Sequence, residues 1–167
     1  MKQPTILFVD DQKSARDLFL RQVDPERFRA LAAPGVLEAE ELLRQEAPDV
    51  VVTDLRMPEI DGLDGLERFR RIDPDLPVIL ITAFGTVETA VEAMKRGAFD
   101  YVRKPFEPGE LEIVLDRALQ HRALLRENAR LRSEVARKSA SDDLICGAPA
   151  MLAVMDLVAR VAPSDFP

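Results

Sequence analysis

Five short apolar segments alternate with stretches of helical spacing, and this alternation limits what the chain can fold into. The apolar segments are residues 5–9, 28–32, 50–53, 77–82 and 101–102. The first, third and fourth are almost continuously hydrophobic, which is typical of strands buried on both faces of a parallel sheet. Five β–α repeats in this span favour an open α/β sheet with helices on both faces.

The stretches between the apolar segments place hydrophobic residues on one helix face. The predicted faces are formed by Ala15, Leu18, Phe19 and Val23, by Ala39, Leu42 and Leu43, and by Leu66, Phe69 and Ile72. A fourth helix is predicted over residues 87–96. It should end at Gly97, because glycine is a common C-terminal cap.

Composition excludes several kinds of site. One cysteine, Cys146, and one histidine, His121, exclude an internal disulfide framework and a metal centre built from several such residues. No apolar run approaches the roughly 20 residues of a membrane helix. The first apolar run ends in Asp10 and Asp11, unlike a signal peptide. We therefore expect a cytoplasmic protein without a membrane partner.

The charge is unevenly distributed. The net charge is −7, yet residues 117–138 carry seven basic side chains and only two acidic ones. The acidic remainder would repel nucleic acid. The basic stretch is interpreted as a solvated helix surface, so direct nucleic-acid binding by this chain is not expected.

Polar residues follow four of the predicted strands. Asp10 and Asp11 follow the first, Asp54 the third, Thr82 ends the fourth and Lys104 follows the fifth. In a parallel sheet these ends meet at one crevice, where ligands bind. Clustered carboxylates without histidine or cysteine favour Mg²⁺, and the hydroxyl and ammonium groups suit a phosphoryl group.

Four segments together carry a family resemblance. They are Ile-Leu-Phe-Val-Asp-Asp (6–11), Val-Val-Thr-Asp-Leu-Arg-Met-Pro-Glu-Ile-Asp-Gly (51–62), Ile-Leu-Ile-Thr-Ala (79–83) and Asp-Tyr-Val-Arg-Lys-Pro-Phe (100–106). Residues 1–120 thereby resemble the receiver domain of a two-component response regulator. The resemblance implies a flavodoxin-like (CheY-like), doubly wound, five-stranded parallel sheet of order 2-1-3-4-5, with an extended C-terminal linker helix.

The resemblance also implies the role of each acidic residue. Asp54 would accept a phosphoryl group from a phosphohistidine of a sensor histidine kinase. Asp11, Asp54 and the backbone carbonyl of Arg56 would bind Mg²⁺ directly, and Asp10 would bind it through water. The chain would act as a phosphoacceptor in signalling rather than as an enzyme that turns over a free substrate.

The remaining site residues follow from the same resemblance. Lys104 would pair with the phosphoryl oxygens, and Pro105 would follow it through a cis peptide bond. Thr82 would donate its hydroxyl to the phosphoryl group, and Tyr101 would turn inward as the switch aromatic. Gly62 is expected to supply a turn conformation that other residues reach only with strain.

Two residues bear on the lifetime of the phosphoryl group. Arg56 and Phe84 each follow a site residue by two positions, where side chains line the path of the attacking water. Neither is a short amide or carboxylate that would orient this water. We therefore expect a phosphoryl group that persists for minutes or longer.

The last helix is predicted to continue through residues 121–140 as a coiled-coil linker. The heptad places His121, Asn128 and Val135 at a, Leu124 and Leu131 at d, Glu127 at g and Arg132 at the next e. Leucine at d with one asparagine at a is typical of a parallel two-stranded coiled coil. The pattern covers about two heptads, so a single exposed helix remains the alternative.

A polar break is predicted at 139–143, and residues 141–167 carry a second resemblance. Leu-Ile-Cys-Gly-Ala-Pro-Ala-Met (144–151) and the apolar stretch after it resemble the start of the AAA+ ATPase domain in NtrC-type activators. The glycine loop that binds nucleotide phosphates is absent from the chain, so we expect a truncated piece of a longer protein that cannot hydrolyse ATP.

The expected function is phosphorylation-dependent control of a downstream ATPase. A homodimer would form through the linker helix and through the face built from the fourth and fifth helices and the fifth strand. In the intact protein the partners would be the AAA+ domain, RNA polymerase with sigma-N, and DNA. The alternatives are a stand-alone receiver, a phosphorylation-independent interaction module and an aspartate-nucleophile phosphatase. The last is disfavoured because Arg56 stands where such phosphatases have a second aspartate.

Overall fold

A computed structural model describes residues 3–83 and 85–147 of the chain. Its sheet has five parallel strands in the order β2-β1-β3-β4-β5, which confirms the predicted topology. The strands are β1 (Thr5–Val9), β2 (Arg29–Ala33), β3 (Val50–Asp54), β4 (Val78–Thr82) and β5 (Asp100–Arg103). The predicted second strand begins and ends one residue too early, and the predicted fifth strand is too short by a residue at each end.

Five helices connect or follow the strands. They are α1 (Lys13–Gln22), α2 (Val36–Glu46), α3 (Gly62–Ile72), α4 (Val87–Lys95) and α5 (Pro108–Gly147). Each of the first four lies between two consecutive strands, so every crossover returns the chain to the same edge of the sheet. This connectivity brings all the loops that follow the strands to one side.

The sheet separates two hydrophobic clusters. Leu7, Val9 and Val51 pack with α2 and α3 residues such as Leu66 and Phe69. The intervening strand residues Ile6, Phe8, Val50 and Val52 pack with α1 and α5 residues such as Phe19 and Leu115. All residues of β1, β3 and β4 are buried, because both faces of these strands are covered.

The predicted buried face of α1 is wrong at one position. Phe19 is buried and stacks on Phe8 with ring centroids 4.3 Å apart. Leu18 is 55% exposed, although its spacing from Ala15 fits a helix face. One helix turn spans 3.6 residues, so neighbouring residues point about 100° apart, and Phe19 rather than Leu18 points at the sheet.

Helix α4 ends as its sequence predicts. Gly97 has a φ of 91°, and its N–H donates to the carbonyl of Met94, while the N–H of Ala98 donates to that of Ala93. These two bonds form a Schellman motif, which glycine favours because its backbone enters the left-handed region without strain. The other end of α4 is closed by a capping box between Thr86 and Thr89.

Helix α5 is longer than the sequence predicts. It continues to Gly147, so the predicted polar break at 139–143 is wrong. Serine, alanine and aspartate are tolerated in helices, and residues 139–143 contain neither glycine nor proline. The remainder of the predicted ATPase segment, residues 148–167, lies outside the described residues. Within the described part of the chain, no helix has the length and hydropathy needed to span a membrane.

The chain divides into two compact units, Met1–Leu125 and Arg126–Pro167. The first contains the whole sheet and helices α1 to α4. In the second, the described helical segment carries Arg130 bonded to Glu127 and Glu134 along the same helix.

Candidate functional site

Three aspartates cluster where β1 and β3 end. Asp10 and Asp11 directly follow β1, and Asp54 is the last residue of β3. The two strands are paired neighbours in the sheet. One carboxylate oxygen from each aspartate lies within 4.8 Å of the other two. The structure thus brings together the acidic residues that the strand ends predicted.

Lys104 lies against two of these carboxylates. Its Nζ is 2.9 Å from Asp10 Oδ2 and 3.4 Å from Asp54 Oδ1. Its backbone N–H donates to the carbonyl of Thr82 at 2.8 Å, and the Lys104–Pro105 peptide is cis, as predicted. The ammonium group neutralises part of the negative charge that the three aspartates bring together.

Asp10 and Asp11 have different environments. Asp10 is buried, and its second carboxylate oxygen accepts a hydrogen bond from the backbone N–H of Gln12 at 2.9 Å. Both Asp10 oxygens therefore have partners within the chain. Asp11 is exposed, and its carboxylate is accessible from solvent.

Burial shifts the acidity of Asp54. Loss of solvent raises the pKa of the Asp54 carboxyl above its ordinary value, and the charge of Lys104 opposes this rise. The negative charge of Asp10 adds to it. The Asp54 carboxylate is thus destabilised by its surroundings, which favours its combination with a cation or an electrophile.

Arg16 supports the acidic cluster from α1, a contact that the sequence analysis missed. Its Nη1 donates to the backbone carbonyls of Asp10 at 2.6 Å and Asp11 at 2.9 Å. These bonds fix the loop that carries both carboxylates. The only sequence signal for this contact is the position of Arg16, which lies five residues after Asp11 and one turn into the predicted helix.

Gly62 is required because its surroundings leave no room for a side chain, and not because of its backbone conformation. A Cβ on Gly62 would lie 2.3 Å from the carbonyl oxygen of Asp54 and 2.9 Å from Leu55 Cα. Among the described glycines only Gly97 has a positive φ, so the predicted turn conformation at Gly62 is wrong. The N–H of Gly62 donates to the carbonyl of Leu55 at 2.8 Å, which holds the start of α3 against the end of β3.

Thr82 and Tyr101 lie on the neighbouring strands. Thr82 is the buried last residue of β4, and Tyr101 is the partly buried second residue of β5. The Tyr101 hydroxyl is 3.4 Å from Thr89 Oγ1 in the first turn of α4. Arg56 follows β3 with an exposed side chain, whereas Phe84 lies outside the described residues.

The donor set fits Mg²⁺. The cluster offers only oxygen ligands, and carboxylates are the protein ligands that Mg²⁺ takes together with water. The exposed Asp11 leaves an approach from solvent, and buried Asp10 has both oxygens occupied by hydrogen bonds. Asp11 and Asp54 are therefore the better candidates for direct ligands.

Comparison with known proteins agrees with this geometry. Residues 6–116 match the family described as "Response regulator receiver domain". The regulatory protein AtoC of Escherichia coli is 37% identical over 160 residues, which cover 96% of this chain and 35% of that protein. The regulator NtrC of Proteus hauseri is 34% identical over 166 residues, which cover 99% of this chain and 34% of that protein.

Solved structures of response regulators are also similar to this chain. A response regulator receiver domain from Clostridium thermocellum has a TM-score of 0.69 at 31% identity and covers 73% of this chain and 98% of its own. NtrX from Brucella abortus has a TM-score of 0.73 at 33% identity and covers 98% of this chain and 35% of its own. The chain spans about a third of the length of the curated relatives it matches. It therefore belongs to the response regulator receiver domains of two-component systems and is related to the NtrC-type regulators.

Proposed function

We propose that this chain receives a phosphoryl group on Asp54 from the phosphohistidine of a sensor histidine kinase. The observation that carries the proposal is the contact of Lys104 with Asp10 and Asp54 inside a cluster of three carboxylates. A lysine at that position pairs with the phosphoryl oxygens as they arrive, since its ammonium group is already anchored at the nucleophile.

The transfer forms one bond and breaks one. A carboxylate oxygen of Asp54 attacks phosphorus, an O–P bond forms, and the P–N bond to the kinase imidazole breaks with its electron pair left on nitrogen. Asp11, Asp54 and the backbone carbonyl of Arg56 would hold Mg²⁺, with Asp10 acting through water. When bound, this ion would neutralise negative charge on the phosphoryl oxygens.

Thr82 and Tyr101 would change conformation in response to phosphorylation. The phosphoryl group adds about −1.5 to −2 charge beside β4. The Thr82 hydroxyl donates to it, and Tyr101 changes rotamer in response. Such a two-position element converts a local charge into a different surface on α4 and β5.

The surrounding architecture is part of the proposal. Residues 1–120 form the receiver, 121–140 a dimerising linker, and 141–167 the start of an AAA+ domain. In the longer protein the receiver would control that ATPase, and so transcription by RNA polymerase with sigma-N at DNA. Relationship to the NtrC-type regulators supports this assignment.

The decisive experiment is the intact mass of the chain after incubation with acetyl phosphate and Mg²⁺. Wild type should gain one phosphoryl group, and Asp54→Asn should gain none. Asp75→Asn is the matched control, because Asp75 is an exposed aspartate after α3 and should leave uptake unchanged. Light scattering on the same samples would show whether uptake changes the oligomeric mass.

The outcomes separate the alternative functions. Equal uptake by wild type and Asp54→Asn would overturn the assignment of the phosphoacceptor. No uptake by wild type would favour a phosphorylation-independent interaction module. Repeated turnover of a phosphomonoester would instead indicate a phosphatase.

A further inference from the structure

The hydroxyl group of Tyr101 occupies space that only a glycine leaves open. A Cβ on Gly85 would lie 1.8 Å from the Tyr101 hydroxyl oxygen and 2.8 Å from its Cζ. It would also lie 3.1 Å from Thr82 Cγ2. The first two distances are too short for any real side chain, so a larger residue at position 85 and Tyr101 in its observed rotamer exclude one another.

The two atoms that a Cβ at position 85 would meet first belong to the side chain of Tyr101 rather than to the backbone. The space beside Gly85 is therefore taken by the tyrosine itself.

The same hydroxyl also contacts the start of α4. Thr89 Oγ1 lies 3.4 Å from the Tyr101 hydroxyl and takes part in the capping box with Thr86. Thr89 Oγ1 accepts from the Thr86 N–H at 2.9 Å and contacts the Thr86 carbonyl at the same distance. The tyrosine thus lies between the β4–α4 connection and the cap of the helix that follows it.

We propose that Gly85 is a positioning residue that provides the hydroxyl site of Tyr101, defined by Gly85, Thr82 and Thr89. Tyr101 occupies this site in one rotamer and leaves it in the other. Its departure removes a contact from the capping box of α4, so the tyrosine rotamer and the first turn of α4 change together. The link to phosphorylation rests on the function proposed above.

The chain offers a specific probe, since it contains one tyrosine and no tryptophan. Labelling the full chain with 3-fluorotyrosine gives ¹⁹F signals from Tyr101 alone. Gly85→Ala should lose the wild-type resonance and show one at a solvent-exposed position. Gly109→Ala is the matched control, because a Cβ at Gly109 meets nothing within 4 Å, and it should keep the wild-type resonance. A wild-type resonance in Gly85→Ala would overturn the proposal.

A mutant cycle covers the case in which Gly85→Ala unfolds. Combined with Tyr101→Leu, which removes the hydroxyl and the ring tip, Gly85→Ala should lower Tm by much less than it does in wild type. A folded double variant beside an unfolded Gly85→Ala single variant supports the steric exclusion. An equal loss of Tm in both backgrounds, or a double variant that also fails to fold, overturns it.

The phosphorylated protein tests the switch. With phosphorylation verified by mass, the wild-type ¹⁹F resonance should shift toward a larger share of Tyr101 in this inward site, whereas that of Gly85→Ala should stay at its exposed position. A phosphorylated wild type with an unmoved resonance overturns the rotamer change. If wild type takes up no phosphoryl group, the proposed function fails, while the unphosphorylated spectra and the mutant cycle still decide whether Gly85 positions Tyr101.

Discussion

At the scale of single residues, Asp54 combines burial with a like charge beside it. It ends a strand in which every residue is buried, and the loss of solvent raises its pKa. Lys104 compensates only in part, because one ammonium group faces two carboxylates. In the absence of a cation, the ionised site therefore opposes folding.

Asp54→Asn should stabilise the cation-free protein. A raised pKa means that the folded state favours the protonated carboxyl. The favourable contribution of Asp54 to the stability of the folded state is therefore fully present below the pKa that Asp54 has in the unfolded chain. This contribution is lost as pH rises through its folded pKa. At neutral pH we therefore expect a higher Tm for the variant than for wild type. The measurement is thermal unfolding in EDTA from acid to neutral pH.

The pH profile is the internal control for this effect. The Tm difference between Asp54→Asn and wild type should vanish in acid, where Asp54 is protonated in both states. Asp75→Asn, at an exposed position, should match wild type throughout. A gain that is independent of pH would contradict the electrostatic explanation.

Under the proposed function, Arg56 should influence how long the phosphoryl group remains on Asp54. Its exposed side chain follows Asp54 by two residues and is too long to orient a water at the acyl phosphate. We predict that Arg56→Asn speeds self-dephosphorylation roughly tenfold. This factor is smaller than the rate enhancement that a positioned general base provides. Loss of the phosphoryl mass after removal of acetyl phosphate gives the rate. A wild-type half-life of seconds would contradict the expected slow step.

At the scale of elements, α3 begins in direct contact with β3, the strand that ends in Asp54. Gly62→Ala would place a Cβ against the backbone of Asp54 and Leu55, where no flexible side chain can give way. We expect a loss of about 1–3 kcal/mol in the free energy of unfolding, the usual cost of overpacking. We also expect slower uptake of the phosphoryl group, because the strand end must shift.

Urea unfolding and a time course of phosphorylation measure the two effects. Gly109→Ala again serves as control, since its Cβ enters open space in the first turn of α5. If Gly62→Ala retained wild-type stability and rate, the close approach of α3 to β3 would not be a constraint on the site.

Helix α5 is anchored to the end of α3 by an ion pair between a buried arginine and a partly exposed aspartate. Arg122 is 7% exposed, and its Nη1 donates to Asp73 Oδ1 at 3.1 Å, with a second contact between Nη2 and Oδ2. His121 beside it contacts the ring of Phe99 at 5.5 Å between centroids. These contacts hold α5 to the receiver at the edge opposite the acidic cluster.

Arg122→Ala should destabilise the receiver. It removes a charged, hydrogen-bonded partner from Asp73, whose side chain is 33% exposed, and such a loss costs about 1.5–3 kcal/mol. Arg117→Ala removes a more exposed pair, in which Arg117 Nη1 is 3.2 Å from Asp100 Oδ2, and should cost about 1 kcal/mol or less. Urea unfolding compares the two, and equal losses would contradict the anchoring role of Arg122.

At the scale of the whole molecule, α5 presents apolar side chains that the single chain leaves in solvent. Leu124, Leu131 and Val135 are 70%, 48% and 64% exposed. They occupy a and d positions of the predicted heptad, whereas Glu127 pairs with Arg130 on the same helix in the single chain. A partner helix against this stripe would bury surface that is otherwise exposed to water.

Leu131→Lys should weaken the proposed homodimer. A charge at a d position must be desolvated in a two-stranded coiled coil, so we expect the dimer dissociation constant to rise at least about tenfold. Ala129→Lys is the control, because position 129 falls at b, outside the seam. Sedimentation or light scattering over a dilution series measures both, and equal dissociation constants would argue for a single exposed helix.

The fold and the position of the site were accessible from the sequence for one physical reason. A buried parallel strand is marked by a local run of apolar residues, and its carboxyl end must lie beside those of its neighbours. Asp10, Asp11 and Asp54 could therefore be placed together without coordinates. The supporting contact of Arg16 could not, because an arginine in a helix has many possible partners.

The amino-acid sequence was enough to predict the order of elements, the glycine cap of α4 at Gly97 and the acidic cluster, since these depend on local pattern and strand order. Packing in three dimensions was needed to show that Leu18 faces solvent, that Arg122 pairs with Asp73, and that Gly62 is required by close approach. It also decided which atoms occupy the space beside Gly85. Each of these outcomes depends on distances between atoms far apart in the chain, which composition and spacing do not encode.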